Sequence, residues 1–231
     1  MKNSKLRRAL LLLACAVMLV SLSVGATLAY LTNQTGTVTN TFTVGKVKID
    51  LDEALVDLYG VPQKEEKTTV DGEEVTKLVP VTKPEDAKRV TENTYKLIPG
   101  HAYTKDPTVY IADDSESCWL FVKVVNEISA IEQGYDDIQA ISIKEQMIGI
   151  EGMEEGKWAV VDETNGIYAY KKIVNPGDKI VVFNNFYIKS NADVSAYEGK
   201  TITVQAYAIQ ADTLDTYEAA WVANGSTWPA N

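Results

Sequence analysis

Apolar and polar residues alternate along much of this 231-residue chain, as they do in β-strands that bury one face. The apolar residues Val38, Phe42 and Val44 lie at even positions, whereas those that follow Gly45 lie at odd positions, beginning with Val47. A change of face at a glycine predicts a β-bulge. Further strands are predicted at 95–98, 103–112, 118–127, 138–147, 157–161, 167–173, 179–189 and 200–210.

Turn sequences separate these predicted strands, among them Pro99-Gly100, Asn165-Gly166 and the run from Asn175 to Asp178. Residues 118–125 are almost continuously apolar, which is typical of a central strand that is covered on both faces. Many short strands with regular turns indicate a β-sandwich or a β-barrel. We therefore expect an all-β fold.

Two segments differ from this pattern. Residues 55–94 are polar and carry Asp71-Gly72 between alternating Thr and Val residues, which predicts a peripheral hairpin insertion with a type I′ turn. Residues 212–224 predict a short C-terminal helix that Asp212 or Thr213 would cap and Asn224-Gly225 would end. Its apolar side would carry Leu214, Tyr217, Ala220 and Trp221.

The N-terminal region has the layout of an export signal. Four basic residues precede an apolar block at 9–29, and small residues at Thr27 and Ala29 suit a signal peptidase. We predict a signal peptide at 1–29 with cleavage between Ala29 and Tyr30, leaving a single secreted domain at 30–231. Two alternatives stay open: the block is long enough for an uncleaved membrane anchor, and Cys15 lies in a sequence similar to a lipidation site.

Charge and cysteine content narrow the class of protein. The chain has 22 Lys and Arg against 32 Asp and Glu, a net charge of −10. Removal of residues 1–29 takes away four basic residues and no acidic ones, which gives −14. Such an acidic chain repels phosphate backbones, so no nucleic-acid partner is expected. Only Cys118 remains after cleavage, so no intramolecular disulfide forms, as is common in exported proteins of Gram-positive bacteria, and Cys118 is predicted to lie in the core.

Residues suited to catalysis are scarce. His101 is the single histidine and follows a Pro-Gly turn, which leaves no histidine-rich zinc site and no nucleophile elbow beside it. We therefore predict that the protein is not an enzyme and has no cofactor. A weak calcium site is the one ionic candidate, at Asp113, Asp114 and Glu116 between two predicted strands, with a second acidic run at 50–53.

The chain resembles the camelysin/TasA family in two regions. The signal end Thr27-Leu-Ala-Tyr30 is followed by Thr41-Phe-Thr-Val-Gly-Lys-Val-Lys-Ile-Asp-Leu51, and Leu97-Ile-Pro-Gly100 is followed by Lys105. This resemblance implies a jelly-roll sandwich of two sheets, export through a SipW-type signal peptidase, and a place in a biofilm matrix or on the cell surface.

The resemblance also suggests assembly into fibres. The hypothesis is that Tyr30 to Val44, with Leu31, Val38 and Phe42, forms a strand that pairs with a neighbouring copy or a related fibre protein by donor-strand exchange. The alternative is that this segment is the first strand of its own sandwich. Two other functions stay open: a monomeric surface module that binds glycan or host protein through Trp221, Trp228 and the hairpin, and an accessory subunit of another fibre.

Overall fold

The computed structural model describes residues 46–70, 72–135 and 140–229. The predicted signal peptide, the cleavage position between Ala29 and Tyr30, Cys15 and the bulge at Gly45 lie outside the described residues. So do the predicted assembly residues Tyr30, Leu31, Val38, Phe42 and Val44. Among the residues that are described, no helix has the length and apolar character needed to cross a membrane.

The described chain is an all-β sandwich, as predicted. Its strands are β1 (Ile49–Ala54), β2 (Gln63–Val70), β3 (Glu73–Pro80), β4 (Arg89–Val90), β5 (Ala102–Thr104), β6 (Thr108–Ile111), β7 (Cys118–Asn126), β8 (Trp158–Asp162), β9 (Ile167–Tyr170), β10 (Lys179–Val181), β11 (Asn185–Tyr187) and β12 (Ile202–Gln210). One antiparallel sheet has the order β10-β6-β1-β4 and the other β12-β7-β9-β8, with β5 paired to β11 and β2 paired to β3.

The main core lies between the two four-stranded sheets. Val109 and Ile111 of β6 belong to the same buried cluster as Leu120 and Val122 of β7. The opposite face of β7 contributes Trp119 and Phe121 to a second cluster. Strand β7 is therefore covered on both faces, which confirms the interpretation of its continuous apolar run.

Two predicted strands are each divided. The chain at 103–112 is interrupted between β5 and β6, and the chain at 179–189 is interrupted between β10 and β11. The two interruptions lie beside each other and are linked by backbone hydrogen bonds: Lys105 N donates to Asn184 O (3.1 Å), and Val182 N donates to Pro107 O (2.8 Å). The two chains bend together at this point, because β6 and β10 belong to one sheet whereas β5 and β11 form a separate pair.

The predicted strand at 95–98 is not a strand. Tyr103 takes the place of a strand neighbour, because its hydroxyl accepts from Ile98 N (2.7 Å) and donates to Lys96 O (2.5 Å). Tyr95 and Leu97 still pack against the main core. The alternation of apolar residues therefore predicted burial correctly, although the backbone bonds to the Tyr103 hydroxyl and, through Lys96 N, to Leu58 O (2.8 Å) rather than to a strand.

The predicted strand at 138–147 is also wrong over its described part, where helix α1 (Ile143–Ile148) forms instead. Ser142 caps this helix: its hydroxyl accepts from Glu145 N (3.3 Å), and the Glu145 carboxylate accepts from Ser142 N (2.7 Å). This reciprocal pair is a capping box, and the spacing Ser-x-x-Glu is its sequence signal. Ile143 and Met147 bury the inner face of the helix.

Beside α1 lies a buried acid, Glu132. Its carboxylate accepts from Ile143 N (2.7 Å) and from Asn126 Nδ2 (2.7 Å). Burial raises the pKa of Glu132 to about 7, although these two hydrogen bonds act in the opposite direction. The folded protein therefore binds a proton at Glu132 more tightly than the unfolded chain does.

Because this acid has a raised pKa in the folded state, its ionisation costs folding free energy, and its contribution to stability falls as the pH rises from 4.5 through about 7. The expected loss is roughly 3 kcal/mol once the group is fully ionised. Carboxyls with lowered pKa values, such as Asp162 hydrogen-bonded to Asn165, titrate below this window. Urea unfolding at about pH 5 and about pH 8 should show wild type losing stability relative to Glu132→Gln. An equal pH dependence in the two proteins would contradict this.

The insertion at 55–94 is partly peripheral, as predicted. Strands β2 and β3 form an exposed hairpin, and Gly72 before β3 has a φ of +87°, whereas Asp71 lies outside the described residues. The insertion returns to the sandwich at β4, which pairs with β1.

The C-terminal helix α2 (Tyr217–Ala223) also forms, but it begins later than predicted. Thr216, rather than Asp212 or Thr213, is the N-cap and accepts from Ala219 N (3.2 Å). Thr213 has a φ of +67°, which places it in a turn before the helix. The helix ends at Asn224, as predicted, and buries Ala220 and Trp221 on the outer face of the β7 sheet.

Candidate assembly groove

An open groove of about 1140 Å³ lies where β1 approaches β12. One wall is formed by β1 and the segment at 91–97, and the other by β12 and the segment at 194–201. These two walls belong to different sheets, so the groove opens the sandwich along one side.

The lining of the groove is largely apolar. Ile128 and Phe186, which are 3% and 1% exposed, lie at its base and belong to the main core. Above them, half-buried apolar side chains pack against the same core, namely Leu51, Tyr95, Leu97, Val194, Tyr197, Ile202 and Val204. The groove therefore gives solvent access to the upper layer of the core.

Strand β12 presents one edge of its backbone to this groove. It pairs residue by residue with β7, from Ile202 opposite Asn126 to Gln210 opposite Cys118. Just beyond the two ends of this ladder, Glu127 N donates to Thr201 O (3.0 Å) and Ala211 N donates to Ser117 O (2.9 Å).

The direction of the other backbone groups follows from this ladder. Residues of an antiparallel strand point their backbone groups alternately to the two sides. The odd-numbered residues of β12 therefore bond to β7, and the backbone groups of Ile202 and Val204 point away from it. In the part of the chain that the structure describes, β7 is the one strand paired with β12, which makes β12 an edge strand.

Charged side chains are buried where the groove meets β1. Lys105 Nζ donates to Glu53 Oε2 (2.5 Å), and these residues are 8% and 5% exposed. Asn93 Nδ2 donates to Glu53 Oε1 (2.9 Å). The burial of Tyr95 beside this cluster raises its phenol pKa, and the charges of Glu53 and Asp106 act in the same direction.

Arg89 of β4 forms a second charged cluster next to the first. Its Nε donates to Asp52 Oδ1 (2.8 Å) and its Nη1 donates to Asp106 Oδ2 (2.6 Å), while Nη2 donates to Thr108 Oγ1 (3.1 Å). Asp106 is 6% exposed and also accepts from Ala54 N through Oδ1 (2.7 Å). Arg89 thus joins the end of the insertion to β1 and to the segment before β6.

The calcium candidates lie in the turn between β6 and β7. Asp113, Asp114 and Glu116 are all exposed there. Lys48 hydrogen-bonds to the Asp114 carboxylate and so lowers its pKa, and Lys48 N donates to Ser115 Oγ (3.0 Å). No cluster of three or more His, Cys, Asp and Glu side chains suited to a metal occurs among the described residues.

The second acidic run, at 50–53, is engaged by cations of the protein itself. Asp52 is held by Arg89, and Glu53 is held by Lys105. The two carboxylates therefore form ion pairs within the protein beside the groove.

His101 lies after a turn and Cys118 lies in the core, as predicted from the sequence. The imidazole Nε2 of His101 is 2.9 Å from Tyr59 O, directly after the Pro99-Gly100 turn. Cys118 is fully buried, and burial raises its thiol pKa to about 11, so the neutral thiol predominates at physiological pH.

The two C-terminal tryptophans of the predicted binding surface differ in exposure. Trp221 is 7% exposed and packs on Phe121 with ring centroids 5.4 Å apart. Trp228 is half-buried against Tyr207, at 6.1 Å between centroids. The prediction that Trp221 is exposed is therefore wrong, because its indole covers the outer face of the β7 sheet, whereas Trp228 keeps part of its surface exposed.

Sequence reasoning did not find the groove or its ionic wall. Lys105 ends the turn motif of the family resemblance and Asp106 follows it, but their partners Glu53 and Arg89 lie 52 and 17 residues away along the chain. The available signal was the presence of Lys105 and Asp106 between two apolar strand segments, where an ion is costly unless it is paired.

Comparisons of the chain with protein-family models, with curated proteins and with solved structures gave no match.

Proposed function

We propose that the protein is a secreted structural component of a bacterial extracellular matrix or cell surface. In this proposal, residues 30–44 of one mature chain enter the groove of a neighbouring chain and pair with the edge of β12, which links subunits into fibres. The observation that carries the proposal is the apolar groove beside an edge strand whose backbone groups point into it.

The chemistry of residues 30–44 suits such a groove. The segment contains no charged residue, and Val38, Phe42 and Val44 all lie at even positions of a Thr-rich stretch, with Asn40 between them. In an extended strand these three side chains point to one face. That face would cover the apolar lining, while the threonine face would remain in solvent.

Cleavage after Ala29 would control the timing of assembly in this scheme. Before cleavage, the segment is attached to the apolar block at 9–29. After cleavage, it has a free end that can enter the groove of another subunit. The same segment also lies close in sequence to β1 of its own chain, so insertion into its own groove is the direct competitor.

Negative-stain electron microscopy of residues 30–231 after long incubation at neutral pH tests the proposal. We expect filaments from this chain and none from a chain that lacks 30–44. By circular dichroism and size-exclusion chromatography, the shortened chain should be a folded monomer, because Gly45–Asn231 is a compact unit by itself. An unfolded shortened chain would instead assign the segment to its own sandwich.

A matched pair of point variants makes the test sharper. Phe42→Asp places a charge on the face that would enter the groove, whereas Thr43→Asp places the same charge on the opposite face. We expect filaments from Thr43→Asp and none from Phe42→Asp. Loss of filaments in both variants would contradict the face assignment.

One further observation favours a second candidate function, a binding module or accessory subunit. Leu58, Tyr59 and Val61 at the base of the hairpin are 49%, 46% and 40% exposed, and Leu78 on β3 is 56% exposed. An exposed apolar surface of this kind suits contact with another protein. If the mature chain remains as single particles in the microscope, this function becomes the leading one.

A further inference from the structure

We propose that Lys105 and Asn93 are joined by an intramolecular isopeptide bond, whose formation Glu53 promotes. This proposal is independent of fibre assembly, because all three residues belong to one chain. It rests on the contact of a buried lysine and a side-chain amide with the same buried carboxylate.

The carboxylate of Glu53 bridges the two reacting groups. Its Oε2 accepts from Lys105 Nζ at 2.5 Å, and its Oε1 accepts from Asn93 Nδ2 at 2.9 Å. The nucleophile and the leaving nitrogen are therefore held on the two oxygens of one group. Such fixed proximity replaces the entropy loss of a bimolecular encounter.

The Asn93 amide is also positioned and polarised by the backbone. Its Oδ1 accepts from Val56 N (3.0 Å), and its Nδ2 makes a second hydrogen bond to Ala54 O (2.9 Å). A backbone N–H on the carbonyl oxygen stabilises the negative charge that develops there when a nucleophile attacks. Together with the hydrogen bond to Glu53, these contacts fix the plane of the amide.

The ammonium group of Lys105 is largely shielded from water, although it lies beside the open groove. Lys105 and Glu53 are 8% and 5% exposed, and Lys105 Nζ lies 5.9 Å from the centre of the Tyr95 ring. Water exclusion strengthens the electrostatic interactions among the three groups and disfavours hydrolysis as a side reaction.

The proposed reaction balances without any further reactant. Lys105 Nζ transfers a proton to Glu53 Oε2, and the neutral amine attacks Asn93 Cγ. The new bond joins Nζ to Cγ, and the bond between Cγ and Nδ2 breaks. The proton on Glu53 passes to the departing Nδ2, which leaves Cγ as ammonia. Nζ loses its second proton as it becomes the amide N–H, and Glu53 passes this proton to the ammonia, which reaches solvent through the groove beside Asn93 and Lys105 as ammonium.

The bond would join the segment after β4 to the segment before β6, both of which line the groove. A covalent link there closes a loop in the unfolded chain, as a disulfide does, and limits how far the groove wall can open. The structure thus assigns a stabilising modification to a chain whose single described cysteine is buried and free.

Mass spectrometry of the full chain tests the proposal. The unfolded protein should be lighter than its sequence by the mass of one ammonia. Trypsin should fail to cut after Lys105 and should yield residues 90–96 joined to residues 97–123 in one branched peptide. Asn93→Ala and Glu53→Gln should both have the unmodified mass and give separate peptides ending at Lys96 and Lys105.

Succinimide formation at Asn165-Gly166 or Asn224-Gly225 also releases ammonia, and the controls separate it from the proposed bond. A mass loss that persists in Asn93→Ala, or that disappears in Asn165→Ala, would overturn the proposal. So would a wild-type digest that contains only linear peptides. Because the wild-type digest is decisive alone, the proposal remains testable even if a variant fails to fold.

Discussion

Replacing Val204 with lysine should abolish filament formation by the mature chain, and replacing the adjacent Gln205 with lysine should preserve it. Val204 is half-buried in the groove and packs against the main core, whereas Gln205 is exposed on the other side of the same strand. In the free subunit of the Val204→Lys variant, the introduced ammonium group can extend out of the open groove into water. Once a neighbour's strand fills the groove, that charge would be buried without a partner.

The expected size of the effect follows from desolvation. Burial of an unpaired ammonium costs several kcal/mol, and each 1.4 kcal/mol weakens association about tenfold. Filament yield, measured by sedimentation and electron microscopy, should therefore fall by at least about tenfold.

The control variant and the melting temperature decide how a loss is interpreted. Val204→Lys should remain a folded monomer that shows a cooperative melting transition. Gln205→Lys should have a melting temperature close to that of wild type. Filaments from Val204→Lys at the wild-type yield would show that the groove does not receive the assembly strand. Loss of filaments in both variants would indicate a general effect of charge on β12.

The sequence predicted best the features that depend on local alternation. The apolar run at 118–125 predicted correctly that β7 is a central strand, because a strand that is covered on both faces must be apolar on both. The exposed hairpin around Gly72 and the end of α2 at Asn224 were also found from turn chemistry. In each case a few neighbouring residues carry the whole signal.

The divided strands and the helix α1 show where local alternation fails. The apolar residues Tyr103, Val109 and Ile111 lie at odd positions on both sides of Lys105 and Asp106, so the period-two register is the same in β5 and β6 even though the chain changes sheets between them. Helix α1 has six residues, too few to display a helical period, so Ser142 and Glu145 were its only clear signal.

The groove could not be read from the sequence because it depends on how strands from two sheets approach each other. Glu53 precedes Asn93 by 40 residues and Lys105 by 52. Only the pairing of β4 with β1, and of β1 with β6, brings these side chains together. A list of polar residues cannot distinguish such a cluster from solvent-exposed charge.

Replacing Arg89 with methionine should destabilise the fold more than any change of an exposed charge. Arg89 donates to the side chains of Asp52 and Asp106, and its side chain is 23% exposed. Methionine preserves much of the side-chain length but leaves both carboxylates without their cation. Removing one partner of a buried ion pair typically costs about 3–5 kcal/mol because the remaining charge stays desolvated, and the partial exposure of Arg89 and Asp52 places the expected loss at the lower end of this range.

The neighbouring residue provides a matched control. Lys88 pairs with Glu65 at 2.6 Å, but these side chains are 46% and 48% exposed, so Lys88→Met should cost less than about 1 kcal/mol. Urea unfolding of the two variants and wild type at neutral pH measures the difference. Equal decreases in the free energy of unfolding of the two variants would show that the Arg89 cluster is well solvated. A much larger loss for Arg89→Met would establish this cluster as the structural link between the insertion and the sandwich, because Arg89 contacts β1 and the segment before β6 at once.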